Sequence, residues 1–215
     1  MKKICTTREK LLQVAFDLIW DSSYGAVSVD DICQRAGVNK GSFYHFFPTK
    51  ADLAIESYRE RWEMVRPRFE EIFASTVPPL ERFHRWSEFI LETQREKAEK
   101  YGHVCGCPHV SVGIELATQD ERIRAASEEL IYAGRKYVES AVVDAIQAGV
   151  VISNDPAALA RRIYSVCLGM LSEARVQNSM EVLRDLEPAI FGLLGVKMPQ
   201  YVPFKNFKHD DLHED

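Results

Sequence analysis

The sequence predicts an all-α protein, with three short helices at the N-terminus and a larger helical body after them. Three observations carry this. Apolar residues recur at three- and four-residue spacing, as in Leu11, Leu12, Ala15, Phe16, Leu18 and Ile19, which is the spacing of one helix face. Helix starts and stops punctuate the chain: Ser28, Thr49 and Asn154-Asp155-Pro156 are starts, Gly37 and Gly149 are stops. No stretch reads as a convincing strand.

The elements follow in order. Residues 1–6 form an arm, and Thr6 or Thr7 caps a first helix running from Thr7 to Trp20. Ser28 caps a second, with Asp30 and Asp31 in its first turn, where acids suit the helix dipole. Gly37 follows Ala36 where a left-handed residue is needed. A third helix runs from Asn39 or Lys40 to Phe46, with Phe43 and Phe46/Phe47 turned inward, and Pro48 closes it. Thr49 and Lys50 open a long helix to about Phe73, with a kink or break expected at Pro67. Further helices are expected over Leu80–Tyr101, Val110–Ala117, Thr118 or Asp120 to Ala148, Pro156–Asn178 and Leu183–Leu194. The loop from Tyr101 to Pro108 is set by its glycines and proline.

Two short helices around a glycine turn make a helix-turn-helix. The second of them has an unusual outer face: Asn39, Lys40, Gly41, Ser42, Tyr44 and His45 include no acid. All but the glycine carry a side chain that can donate to a phosphate or a base edge. Gly41 costs a helix about 1 kcal/mol relative to alanine, yet it lets a backbone approach closely, as in a major groove. The run Val29-Asp-Asp-Ile-Cys-Gln-Arg-Ala-Gly-Val-Asn-Lys-Gly-Ser-Phe-Tyr-His-Phe-Phe-Pro-Thr-Lys-Ala-Asp-Leu53 resembles the DNA-binding signature of the TetR family of bacterial transcription regulators. With the first helix, the resemblance covers about the first quarter of the chain. Beyond it, only the helical layout is similar.

The resemblance implies a DNA-binding domain over residues 1–50, an effector-binding and dimerisation domain over 51–197, and a loose tail over 198–215. It implies a homodimer on a palindromic double-stranded operator, and a small-molecule effector that releases a repressor from DNA. The DNA-contact candidates are Ser28, Asn39, Lys40, Gly41, Ser42, Tyr44, His45 and Lys50. Lys2, Lys3 and Arg8 are also placed to reach phosphates. Lys50 sits at a helix start whose free N–H groups suit an anion.

Composition agrees with that division. The 215 residues carry a net charge of −5 and 46% hydrophobic residues. Residues 1–50 hold seven Lys/Arg and five Asp/Glu, net +2, which leaves −7 for the rest. A mildly basic head on an acidic body fits a small phosphate-contacting module. No apolar run approaches the roughly 20 residues of a membrane span, and no signal-peptide pattern follows Met1. The chain reads as cytoplasmic, with no membrane partner. Its five cysteines, an odd number, argue for reduced thiols and against a disulfide framework.

No enzyme motif and no cofactor motif appears. His103, Cys105, Cys107 and His109 place four metal-type ligands in seven residues. Their alternate spacing is not that of a standard zinc site, and no metal is assigned. Cys105 and Cys107 are redox or electrophile candidates; the other reading is a turn cysteine packed into the body. A thiol- or metal-based stress-sensing regulator with no organic ligand is therefore the alternative. Trp86, Phe89, Tyr137, Tyr164 and Cys167 are the effector-pocket candidates, with plain core packing as the other reading.

Overall fold

The first helix is fixed by a reciprocal cap. In the computed structural model, which describes residues 6–198, the Thr6 hydroxyl accepts the Glu9 N–H while the Glu9 carboxylate accepts the Thr6 N–H. That pair satisfies two donors that a helix start leaves open. From this cap runs α1, Thr7–Asp21. Then come α2, Val29–Ala36, and α3, Lys40–Phe46. Next are α4, Lys50–Ile72, α5, Pro79–Tyr101, and α6, Pro108–Leu116. The chain continues through α7, Glu121–Gln147, and α8, Pro156–Gln177. A 3-10 turn at Glu181–Asp185 leads into α9, Leu186–Leu194. The described residues contain no strand.

They gather into two compact units, within which the chain is interleaved. The first holds residues 6–65 and 108–130, so α6 and the start of α7 join the three N-terminal helices. The second holds residues 66–107 and 131–198.

The core of the first unit is built from Leu11, Leu12, Ile19, Ile32, Phe43, Phe47 and Leu53, each at most 1% exposed. Burying side chains of this size stabilises by about 1.5–3 kcal/mol apiece. Ser28 caps α2 by accepting the Asp31 N–H at 3.1 Å, and Gly37 ends it at φ +67°. A side chain with a Cβ would be strained there, so the sharp corner into α3 depends on glycine. In the second unit Trp86, Phe83, Ile163, Ile190 and Phe191 are fully buried.

Four expectations are corrected. Phe46 is 38% exposed, not inward: on so short a helix Phe43 and Phe47 fill the core face. Of the kink or break expected at Pro67, the break is absent, for α4 passes through it to Ile72. The helix expected from Val110 starts at Pro108, since proline suits a first turn. The last helix is split, its expected start being the 3-10 turn. The expected tail from 199 onward and Lys2 and Lys3 lie outside the described residues. No helix among these residues is long and apolar enough to cross a membrane.

Candidate nucleic-acid interface

The outer face of α3 is assembled by its cap and its core. Asn39 Oδ1 accepts the Ser42 N–H at 2.8 Å, which starts the helix. Phe43, fully buried, then fixes its rotation. Asn39, Lys40, Gly41, Tyr44 and His45 are left exposed, and Ser42 half-buried. Tyr44 is 55% exposed, with its ring edge-on to Phe43 at 5.0 Å. A Cβ on Gly41 would meet nothing but the Asn39 cap oxygen, at 3.1 Å, so the helix face there is bare backbone.

The candidates differ in what already holds them. Lys40 Nζ lies 2.7 Å from Asp30 Oδ1, with both side chains largely in solvent. Pairs this exposed are worth little, so the lysine is readily exchanged to a phosphate. The Ser28 hydroxyl is engaged with Asp31, whose carboxyl it holds below the usual range. Lys50 is half-buried. Its ammonium donates to the carbonyls of Tyr24 and Val27, both at 2.8 Å, and lies 3.9 Å from the Tyr24 ring centre. Burial lowers its pKa.

Sequence reasoning missed the roles of three residues of the first unit, Asp30 having been read only as a first-turn acid and His109 only as a metal-type ligand. Asp30 pairs with Lys40; its signal was only its place on the preceding helix. Glu115 accepts the N–H groups of Tyr24 and Gly25. His109 lines a narrow pocket, with Ala54, Tyr58, Val112, Ile123 and Ser127 among the other walls. Its Nδ1 is buried and has no hydrogen-bond partner among the described residues. Burial holds its pKa down to about 4, so the ring is neutral.

In the second unit the effector candidates meet. Trp86 and Tyr164 stack at 5.9 Å and 4°. Tyr137 packs on Phe69 and Phe73, and Phe89 meets Phe69 edge-on. Cys107 and Cys167 lie within electrostatic reach of the Tyr164 phenol. Burial raises the pKa of both Tyr164 and Cys167.

The loop of Cys105 and Cys107 is tied down. Gln94, itself buried, accepts the Gly106 N–H at 2.8 Å and donates to its carbonyl at 3.1 Å. Arg175 donates to the Cys105 carbonyl at 2.7 Å. Gly106 has φ +69°, and a Cβ there would stand 2.9 Å from the Leu171 carbonyl oxygen. Cys105 is fully buried, while Cys107 is only partly buried. Among the described residues, no three His, Cys, Asp or Glu side chains converge as a metal set.

Three N-terminal helices, the third of them exposed on an acid-free face after the glycine corner, are those of a helix-turn-helix DNA-binding protein. The family description "Bacterial regulatory proteins, tetR family" matches residues 11–56, and "Tetracyclin repressor-like, C-terminal domain" matches residues 87–190. The chain belongs to the TetR family of bacterial transcription regulators. It is 27% identical over 197 residues to an uncharacterised helix-turn-helix regulator of Lactococcus lactis, covering 89% of this chain and 96% of the relative. It is 22% identical to the repressor NemR of Escherichia coli, covering 83% and 89% of the two chains. The crystal structure of reduced E. coli NemR superposes with a TM-score of 0.73 over 88% of this chain and 97% of that one. A TetR protein from Rhodobacter sphaeroides, 22% identical, superposes at 0.75 over 85% and 95%. These relatives are regulators, not enzymes.

Proposed function

We propose that this chain is a repressor that binds a palindromic operator as a homodimer and is released by a small-molecule effector. The observation that carries the DNA-binding half is the outer face of α3. Asn39, Lys40, Ser42, Tyr44 and His45 present donors around a bare glycine, so the helix can sit in a major groove. Ser28 caps the start of α2, and we read that helix start as a phosphate contact. Lys50 has three N–H donors, two of them on carbonyls, which leaves one for a phosphate. Residues 1–50 carry the DNA contacts, and 51–197 serve effector binding and dimerisation. We assign the effector to the aromatic cluster of Trp86, Phe89, Tyr137 and Tyr164, with Cys167 beside it.

The experiment selects duplexes from a random-sequence library with the full chain, then measures affinity across a salt series. Specific binding that weakens in Tyr44→Ala is expected. A chain that selects no sequence at all would defeat the proposal.

A second reading rests on Cys107, the partly buried thiol of the tied loop. In it, oxidation or alkylation of Cys107 is the signal and no organic ligand is needed. The E. coli relative was solved in what is described as a reduced form, which is consistent with this reading. Mass-mapped alkylation of the native protein decides. The thiol reading requires Cys107 to react before buried Cys33, and Cys107→Ser to bind DNA without responding. A Cys107 that reacts only on unfolding leaves the organic effector.

A further inference from the structure

The turn between α1 and α2 is gripped from two sides within the first unit. Glu115, near the end of α6, accepts the Tyr24 N–H at 3.0 Å through Oε2 and the Gly25 N–H at 2.6 Å through Oε1. Lys50, at the start of α4, holds the carbonyls of Tyr24 and Val27. The donors are thus taken by an acid and the acceptors by a base, over a turn of four residues. Gly25 is what lets the carboxylate in: a Cβ there would lie 2.7 Å from Glu115 Oε1. Gly25 is not one of the glycines at positive φ, so its lack of a side chain serves this contact and not the backbone angle.

The turn leads directly to the DNA-facing helices. Val27 is buried, and the next residue, Ser28, is the cap of α2. A displacement of Tyr24 and Gly25 therefore shifts the entry of α2, and with it α3 beyond the Gly37 corner. The other end of α6 lines the narrow pocket: His109 and Val112 meet Tyr58 and Ala54 of α4 and Ile123 of α7 there. One nine-residue helix joins the two ends.

We propose that Glu115 is a positioning residue for operator binding. It holds the α1–α2 turn in the arrangement that grips DNA. This rests on the DNA-binding reading of α3.

Charge alone predicts the opposite sign. Removing an acid from a DNA-binding unit raises affinity for a polyanion, most at low salt. The positioning role predicts a loss, confined to the selected sequence, with the salt slope unchanged because no phosphate contact goes.

The test uses the full chain and the duplex it selects. Glu115→Ala is expected to lose about tenfold or more in affinity for that duplex, on the scale of two charge-assisted hydrogen bonds. Glu115→Gln, which offers one acceptor and one clashing donor, falls between. Gly25→Ala makes the carboxylate swing off the turn, and the lost grip lowers affinity in the wild-type background. In the Glu115→Ala background the added carbon has room, so Gly25→Ala there adds nothing. Amide exchange at Tyr24 and Gly25, slow in the wild type, becomes fast in Glu115→Ala while the α8 amides stay protected.

Wild-type affinity in both Glu115 variants overturns the proposal. So does Gly25→Ala costing the same in both backgrounds, since the two effects would then be independent. A wild-type chain that selects no duplex fails earlier, at the DNA-binding reading itself.

Discussion

Tyr44 is the residue on which sequence discrimination is expected to rest, because it combines 55% exposure with a ring fixed against Phe43. Tyr44→Ala should cost about 1–3 kcal/mol on the selected operator and much less on random DNA. Lys40→Ala should weaken all sequences alike and reduce the salt slope by about one. Competition binding across a salt series separates the two. Lys50 differs from both, because its ammonium also holds the α1–α2 turn. Lys50→Ala should therefore lower unfolding stability by about 2 kcal/mol as well as weakening DNA binding, which denaturant melts would show. His109 gives a pH dependence with a definite sign. Its folded pKa of about 4 lies below the unfolded value of about 6.5. The unfolded chain thus takes the proton first as pH falls. The stability this contributes is fully present above pH 6.5 and is lost between there and 4, by about 3 kcal/mol. His109→Phe should flatten that part of the stability curve relative to wild type; identical pH profiles would mean the ring is not buried neutral. Ser28 and Gly37 were legible in the sequence because a cap or a corner is chemistry within three residues. Glu115 was not, because its partners lie 90 and 91 residues away, and nothing near it in the sequence marks them.

At the scale of elements, helix ends were legible within a residue or two wherever a cap, a proline or a glycine stands there. Where packing decides, they were not. Pro67 carries every local sign of a break, yet α4 continues through it. A proline inside a helix lacks an N–H and crowds the carbonyl four residues earlier, here that of Glu63. Neighbouring side chains supply what the backbone loses: Phe69, Ile72 and Phe73 follow the proline and are all buried. Pro67 itself is exposed, so its ring contributes no core contact. Pro67→Ala should accordingly stabilise the protein, by about 1–3 kcal/mol. Urea unfolding measures it, and no gain would show that the helix has already adapted its carbonyls to the ring.

The whole molecule was the least legible scale, since the first unit borrows α6 and the start of α7 from later in the chain. No local pattern in 108–130 reveals that return. At this scale the homodimer face is a proposal, and α8 and α9 are where we place it. Gly169 is exposed, and a Cβ there would meet nothing within 4 Å; the same is true of Gly192 on α9. Val176 and Leu193 are exposed apolar residues on the same two helices. A face this bare suits a second copy packed closely about a two-fold axis, which makes a four-helix bundle. Gly169→Glu tests it cleanly. The open space means the folded monomer tolerates the new side chain, while a dimer would have to bury an unpaired charge. Sedimentation at micromolar concentration should show a dimer for wild type and a folded monomer for the variant. Two linked heads bind half-sites about one helical turn, or a multiple, apart, so the variant should also lose the selected palindrome while a single half-site binds both proteins equally. A variant that stays dimeric moves the two-fold axis off α8, and a wild type that sediments as a monomer removes the reason for a palindrome altogether.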